Sequence, residues 1–274
     1  MREFDYLYLA KIFRIMFCRL FVLFNKSVLL ILFLFCFTLN IKAQYSIRDS
    51  SISFPMVGVT FAYQKPGGDL VDRFGNNFNI GTVFQLKLRN NWVIGMEGDF
   101  LFSDHVKENN FLNKYLTPDE NIIDGNGHYA LVNLVERGLK IEMKAGKIIP
   151  VMGPNKNSGL MTTLGIGYLQ HKILIETPQS SIPYLEEEYR KGYDRLSTGL
   201  SITEFLGYIN FGNKRLINFY AGLEFTQAFT KNRRSMNFDT GLNDNKSRLD
   251  LFFGLRIGWV IPIYKRSADK IYIN

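Results

Sequence analysis

Charged side chains recur at every second position in several otherwise apolar stretches of this 274-residue chain. The set comprises Glu97, Asp99, Lys140, Glu142, Lys144, Glu224, Asp250 and Arg256. Side chains two residues apart in a strand point to the same face, so the spacing predicts one charged face. Charges buried together must pair, because an isolated buried charge is costly. We interpret the set as an interior salt-bridge network and keep a narrow proton or ion path as the alternative.

Three histidines are the other residues that could do chemistry, namely His105, His128 and His171. Acyl transfer and hydrolysis need a serine activated by a histidine, with an acid that orients the histidine. None of the three stands in a His-x-Ser arrangement, and no two lie at metal-ligand spacing. All three fall in or near long polar segments. We therefore expect solvated histidines, no catalytic residue, no metal site and no cofactor.

Two charge clusters lie in polar segments, one at 186–191 and one at 231–234. Each fits an ordinary solvated loop. The basic residues Lys231, Arg233 and Arg234 also fit contact with lipopolysaccharide phosphates or an acidic partner, since Arg matches phosphate geometry. The sequence leaves both interpretations open.

The charged face belongs to eight segments in which bulky apolar residues alternate with polar residues or glycine. These segments span 57–64, 78–88, 92–102, 139–151, 160–175, 200–211, 217–229 and 249–261. A period of two predicts β-strands. Segment 200–211 carries apolar residues at both parities around Glu204, and we expect a β-bulge there.

The connections alternate between short turns and long polar segments, notably 103–138, 176–199 and 230–248. An even number of alternating strands of ~10 residues with this loop pattern is typical of transmembrane β-barrels. Closure removes the unpaired edge that lipid would leave unsatisfied. We predict an all-β fold, an eight-stranded antiparallel up-and-down transmembrane β-barrel over residues 54–264.

A soluble barrel or sandwich would also contain short alternating strands. The composition of the two faces favours the membrane barrel. The apolar face is bulky and has aromatic residues toward the segment ends, as interfacial girdles require. The other face combines charges with glycines, which suits a narrow interior.

The first 43 residues differ in character from the rest. Residues 28–39 are apolar and uncharged, basic residues precede them, and Ala43 offers a small cleavage residue. This pattern predicts a cleaved signal peptide, with a true start downstream of residues 1–26 as one interpretation and an uncleaved anchor as the alternative. We expect a periplasmic segment over 44–53 and a periplasmic tail over 265–274.

Composition excludes several classes of protein. A mean hydropathy of −0.04 argues against a polytopic helical membrane protein, and 46% hydrophobic residues argue against disorder. The leader holds six basic and two acidic residues, so its removal lowers the net charge from +8 to +4. Basic charge therefore gives no support for a nucleic-acid partner. Both cysteines, Cys18 and Cys36, lie in the leader.

From about Gln44 to Tyr264 the chain resembles small outer-membrane β-barrel proteins of Gram-negative bacteria, particularly the PorT-like group of the Bacteroidota. Arg256, Gly258, Ile261 and Ile263 are similar in spacing to the assembly signal in the last strand of such barrels. The match is loose, because isoleucines replace the usual aromatics and the chain continues to Asn274.

The resemblance implies an outer-membrane location, export by the signal peptide, and lipid, lipopolysaccharide and the barrel-assembly machinery as partners. We expect a non-enzymatic structural or interaction protein, with other envelope proteins as further partners, in a secretion or assembly complex. The alternative is a porin-like barrel that transports a small ligand or ion. A lipid A-modifying enzyme is less favoured, because the histidines lack suitable neighbours.

Overall fold

Alternating apolar and polar residues form the long strands of one sheet in the computed structural model, which describes residues 50–108, 112–178, 182–185, 187–212 and 217–264. The leader, residues 44–49 and the tail from 265 lie outside the described residues. The predicted signal peptide, N-terminal periplasmic segment and periplasmic tail therefore stay predictions. None of the helices in the described ranges is long and apolar enough to cross a membrane.

Eight strands form a closed antiparallel barrel in which each strand pairs with its neighbours in sequence and the last pairs with the first. The predicted eight-stranded up-and-down barrel is therefore confirmed. Its strands are β1 (Phe54–Gly68), β2 (Asn77–Lys87), β3 (Trp92–Ser103), β6 (Asn133–Ile149), β7 (Gly159–Glu176), β8 (Ser197–Phe211), β9 (Asn218–Asn232) and β10 (Ser247–Pro262). A two-stranded hairpin, β4 (Ile122–Ile123) and β5 (Tyr129–Ala130), lies in the connection between β3 and β6.

The strands are staggered around the barrel. Met56 in β1 has a directly paired residue in β2, which in turn has one in β3, and so on around the barrel to β10. The paired residue of that last position is Pro66 in β1, which lies ten residues beyond Met56. Such a stagger tilts the strands by ~40° from the barrel axis. Short connections lie at one end, which we call the turn end, and long connections at the other, the loop end.

The turn between β2 and β3 shows how local sequence sets this geometry. Asn91 adopts a left-handed backbone with φ of 63°, which asparagine tolerates better than most residues. Its N–H donates to the carbonyl of Leu88 at 3.0 Å, and the N–H of Leu88 donates to the carbonyl of Trp92 at 2.7 Å. The tight turn leaves β2 and β3 in direct register.

The strands exceed the ~10 residues needed to cross a bilayer. β6 has 17 residues and β7 has 18, and both extend toward the loop end. The predicted bulge near Glu204 is wrong, because β8 keeps one unbroken register with β7 and with β9. The mixed parity has another cause: near the turn end the interior itself is apolar, so Phe205, Ile209 and Phe211 point inward.

The described parts of the long connections cover the loop end. They include 3-10 turns at Asp69–Asp72, Asn113–Tyr115 and Pro183–Leu185, and a short helix α1 (Glu187–Arg190). Leu112, Ile122 and Leu185 from these connections pack with Phe74 and Ile173 in one buried cluster. The connections therefore close the barrel mouth with an apolar layer.

Candidate functional site

Seven charged side chains meet at the middle of the barrel interior. They are Glu97 and Asp99 from β3, Lys140, Glu142 and Lys144 from β6, Glu224 from β9 and Arg256 from β10. We call this set the ion cluster. Each side chain is buried, with an exposed fraction of 4% or less. Alternation along β3 and β6 places neighbours two residues apart on the same inward face.

Arg256 lies at the centre of the ion cluster. Its guanidinium donates to Asp99 Oδ2 at 3.2 Å, to Glu224 Oε1 at 2.9 Å, and to Glu97. It also donates to Thr60 Oγ1 at 3.0 Å. Five N–H donors in a planar fork allow one arginine to contact several acceptors at once.

The two lysines link the remaining carboxylates. Lys144 Nζ lies 2.8 Å from Glu97 Oε2 and 2.9 Å from Glu142 Oε1. Lys140 Nζ lies 3.2 Å from Asp99 Oδ2 and 3.3 Å from Glu142 Oε1. The cluster thus sets four carboxylates against three cations, with Glu142 bridging both lysines.

Small residues make room for the cluster. A Cβ at Gly81, on the neighbouring strand β2, would lie 2.0 Å from Asp99 Oδ1. Gln64 on β1 donates to Glu224 Oε1 at 3.2 Å. The sequence signal for both was their place on the inward parity, and the charge pattern alone did not single them out.

Three carboxylates of the cluster lie close enough to suggest a metal site. Oxygen atoms of Glu97, Asp99 and Glu142 fall within 4.8 Å of one another. The same groups already contact Lys140, Lys144 and Arg256. A metal ion would have to displace these cations, so the donor set fits salt bridges better than a metal.

Apolar side chains fill the interior on both sides of the ion cluster. Toward the turn end, Phe54, Met56, Ile148 and Ile209 belong to a cluster whose members are at most 8% exposed. Toward the loop end, Leu169 and the other members of the buried cluster that closes the barrel mouth fill the interior. Side chains that line a water-filled pore would be accessible to solvent. The described lumen is therefore filled along its length.

His171 contradicts the expectation of a solvated histidine. It lies inside the barrel, 1% exposed, with Nε2 2.9 Å from Asp250 Oδ2. Thr230 Oγ1 donates to the same carboxylate oxygen at 2.5 Å, and the Phe74 ring contacts the imidazole edge-on. His171 shares the inward parity of Leu169, so strand alternation could have placed it inside.

Asp250 does not join the ion cluster as predicted. It lies six residues along β10 from Arg256, toward the loop end, where its partners are His171 and Thr230. Because Thr230 donates to Asp250 and not to the imidazole, the trio lacks a hydroxyl placed for activation by the histidine. The hydrogen bonds among His171, Asp250 and Thr230 instead stabilise the packed interior near the loop end. His105 and His128 lie in connections and are largely exposed.

Sequence reasoning missed Glu136, which is fully buried near the loop end of β6. The amide of Asn77 donates to both of its carboxylate oxygens at 3.2 and 3.3 Å. Glu136 has the same inward parity as Lys140. It was missed because the predicted strand began at residue 139, whereas β6 starts at Asn133.

The basic residues at the end of β9 have different environments. Arg234 is engaged by Asp194, with Nε 2.8 Å from Oδ1. Arg233 donates to Thr198, while Lys231 is exposed. Arg234 is thus largely used within the protein, whereas Lys231 and Arg233 are exposed.

An ion pair also fixes the first connection at the loop end. Asp69 accepts from Lys246 Nζ at 2.9 Å and from the N–H of Leu249 at 2.8 Å. The hydrogen bonds from Lys246 and then Leu249 lower the pKa of Asp69 below its usual value of 3.8. The connection after β1 is therefore tied to the start of β10 over the neutral pH range.

Of the four residues that resemble an assembly signal, three lie on the two faces of β10, and Ile263 follows the end of that strand. Arg256 belongs to the ion cluster, and Gly258 lies beneath the ring of Tyr220. Ile261 and Ile263 are exposed on the exterior at the turn end. Two of the four thus have packing reasons of their own.

No protein-family model matches this chain, and no curated protein matches it. Several solved structures are similar in fold at low identity. Neisserial surface protein A is 11% identical, with 76% of this chain and 96% of that chain covered and a TM-score of 0.42. Ail of Yersinia pestis, with a bound heparin analogue, is 11% identical over 76% and 99%, with a TM-score of 0.37. The outer membrane protein OprG of Pseudomonas aeruginosa is 12% identical over 78% and 98%, with a TM-score of 0.33.

Proposed function

We propose that this chain is a non-enzymatic outer-membrane β-barrel with a structural or interaction role in the cell envelope. The observation that carries the proposal is the apolar exterior. On β3, outward residues from Trp92 to Phe102 are apolar, with Gly98 among them. This stretch corresponds to ~25 Å along the barrel axis at ~3.3 Å per residue and ~40° of tilt, the height of a lipid-facing band.

Aromatic residues border this band at both ends, as interfacial girdles do. Trp92 and Trp259 lie toward the turn end, and Tyr63 and Tyr168 toward the loop end. All four are between 43% and 54% exposed. In water, so large an apolar surface would favour aggregation, whereas in a bilayer it needs no partner.

The filled lumen supports a structural or interaction role over transport. The ion cluster and the two apolar layers occupy the space that a solute would have to cross. We infer that the contacts that matter for function lie at the loops or on the lipid-facing wall.

The test is the behaviour of the protein in the outer-membrane fraction of cells that produce it. We expect the unheated protein to migrate differently from the heated protein on a detergent gel, because a lipid-stabilised barrel resists unfolding by detergent. Recovery of the protein in the soluble fraction, with equal migration before and after heating, would contradict the proposal.

The finer assignment rests on the resemblance of the chain from about Gln44 to Tyr264 and on the residue spacing at its last strand. We infer a PorT-like barrel of the Bacteroidota, assembled by the barrel-assembly machinery and accessory to an envelope secretion or assembly complex. Crosslinking in cells with photoreactive residues in the long loops should recover a defined envelope protein. Unchanged secretion and envelope integrity in a deletion strain would argue against this role.

A further inference from the structure

A single carboxylate lies in the middle of the apolar exterior. Glu204 on β8 points outward and is exposed, between Ile202 and Leu206 on the same face. Its directly paired neighbours are Leu164 on β7 and Phe225 on β9. Among the described residues, Glu204 is the one charged side chain on the outer wall between the two aromatic girdles.

The strand geometry places Glu204 near mid-depth. Leu200 lies four residues toward the loop end and Tyr208 four residues toward the turn end, where its hydroxyl donates to the carbonyl of Met152. Four residues at ~3.3 Å each and ~40° of tilt correspond to ~10 Å of depth on either side. That distance exceeds the reach of a glutamate side chain, so Glu204 cannot place its carboxylate in the interface.

The contrast with the lysine on the same wall is informative. Lys147 lies at the turn end, where its ammonium stands 5.9 Å from the centre of the Trp92 ring. A lysine at that level reaches the interface. The carboxylate of Glu204 cannot reach the interface in this way, and no hydrogen bond or ion pair joins it to another described residue.

A groove accompanies the carboxylate. It is an open groove of about 730 Å³ on the outer wall, and Glu204 is part of its lining. Small residues, including Ala145, Gly146 and Thr162, line it together with Leu206, and Lys147 lines its turn end. Small side chains allow a neighbouring segment to approach closely within a membrane.

We propose that this groove is a lateral docking site for a membrane-embedded segment of another polypeptide that presents a lysine or arginine at mid-depth. This proposal rests on the membrane location proposed above. Charge complementarity selects the partner, because a cation is what offsets a carboxylate in hydrocarbon. A second copy cannot supply it, since a two-fold axis along the membrane normal preserves depth and the described outer wall has no Lys or Arg at that level.

The experiment uses the purified protein in dilauroylphosphatidylcholine vesicles. Its probe is a leucine-rich helical peptide of ~20 residues with one central lysine, and the same peptide without lysine serves as reference. A fluorophore on Met152→Cys, at the exposed turn end, reports approach of a labelled peptide by energy transfer. The described residues contain no other cysteine.

We expect the protein to bind the lysine peptide about tenfold more tightly than the reference peptide. Glu204→Gln keeps the size of the side chain and should abolish this preference. Thr82→Gln, an outward position on β2, is the matched control and should leave the preference intact.

Three results would overturn the proposal. Equal binding of both peptides by an inserted barrel would exclude cation recognition and leave the membrane location standing. Energy transfer between two copies that depends on Glu204 would replace the partner with a second copy. Failure of the protein to insert in the vesicles would remove the membrane location and the docking site together.

Discussion

Arg256 is the residue on which the interior depends most, because its guanidinium contacts three of the four carboxylates. We predict that Arg256→Ala lowers the free energy of unfolding by about 3–5 kcal/mol, since it leaves four buried carboxylates against only two lysines. Urea unfolding in lipid vesicles would measure the loss. The chain contains two tryptophans, Trp92 and Trp259, both on the outer wall, and their fluorescence reports the transition.

Glu97→Gln provides the matched comparison at the same scale. Removing one of four carboxylates leaves three against three cations, so the cluster becomes balanced in formal charge. We predict a loss of no more than about 1–2 kcal/mol, because hydrogen bonds with a charged partner are weakened but not left unmade. A larger loss for Glu97→Gln than for Arg256→Ala would contradict this view of the cluster.

Glu204 gives a prediction of opposite sign. In vesicles without a partner, a carboxylate at mid-depth destabilises the barrel. We predict that Glu204→Leu raises the free energy of unfolding by about 1–2 kcal/mol, a smaller effect than for a lysine or arginine at the same depth. The same urea titration measures it, and a decrease in stability would show that Glu204 does not face lipid.

At the level of single strands, β10 combines packing with the residues that resemble an assembly signal. A Cβ at Gly258 would lie 2.3 Å from Cε1 of Tyr220, whose ring packs edge-on against Phe205 at 5.5 Å. We predict that Gly258→Ala lowers the free energy of unfolding by about 1–3 kcal/mol through overpacking. Equilibrium unfolding of the refolded protein measures this without the assembly machinery.

Gly98→Ala is the control for that change. Gly98 also lies within a barrel strand, but nothing stands within 4 Å of a Cβ there. Its substitution should leave stability nearly unchanged. If Gly258→Ala is stable after refolding in vitro but fails to reach the membrane in cells, the glycine serves assembly and not packing.

Strand alternation allowed the existence and order of the eight barrel strands to be predicted, because each strand must present one face to the exterior. It failed where the interior is apolar, as at Phe205 and Ile209, since alternation then no longer separates the two faces. It gave the correct face for Asp250 but not its partners, whereas His171 was misjudged because it lies near a long polar segment and not because of its parity. Parity places a side chain inside but does not give its height along the barrel, which depends on the stagger between distant strands.

For the molecule as a whole, the filled lumen predicts the absence of conductance. We expect the reconstituted protein to give no stepwise current in planar bilayers at neutral pH, because the ion cluster and both apolar layers block the path. Steady conductance whose ion selectivity changes in Arg256→Ala would favour the transporting alternative.

The closure of the barrel also bears on how it forms. Met56 pairs with Pro262, so the first and last strands meet across nearly the whole described chain. Contacts between residues so distant in sequence form slowly, because the intervening chain loses its freedom before the contact stabilises it. The seam between β1 and β10 should therefore be the last pairing to form. A chain truncated within β10 would keep every pairing from β1 through to β9 and still lack the strand that joins β9 to β1, so it would be unable to complete folding.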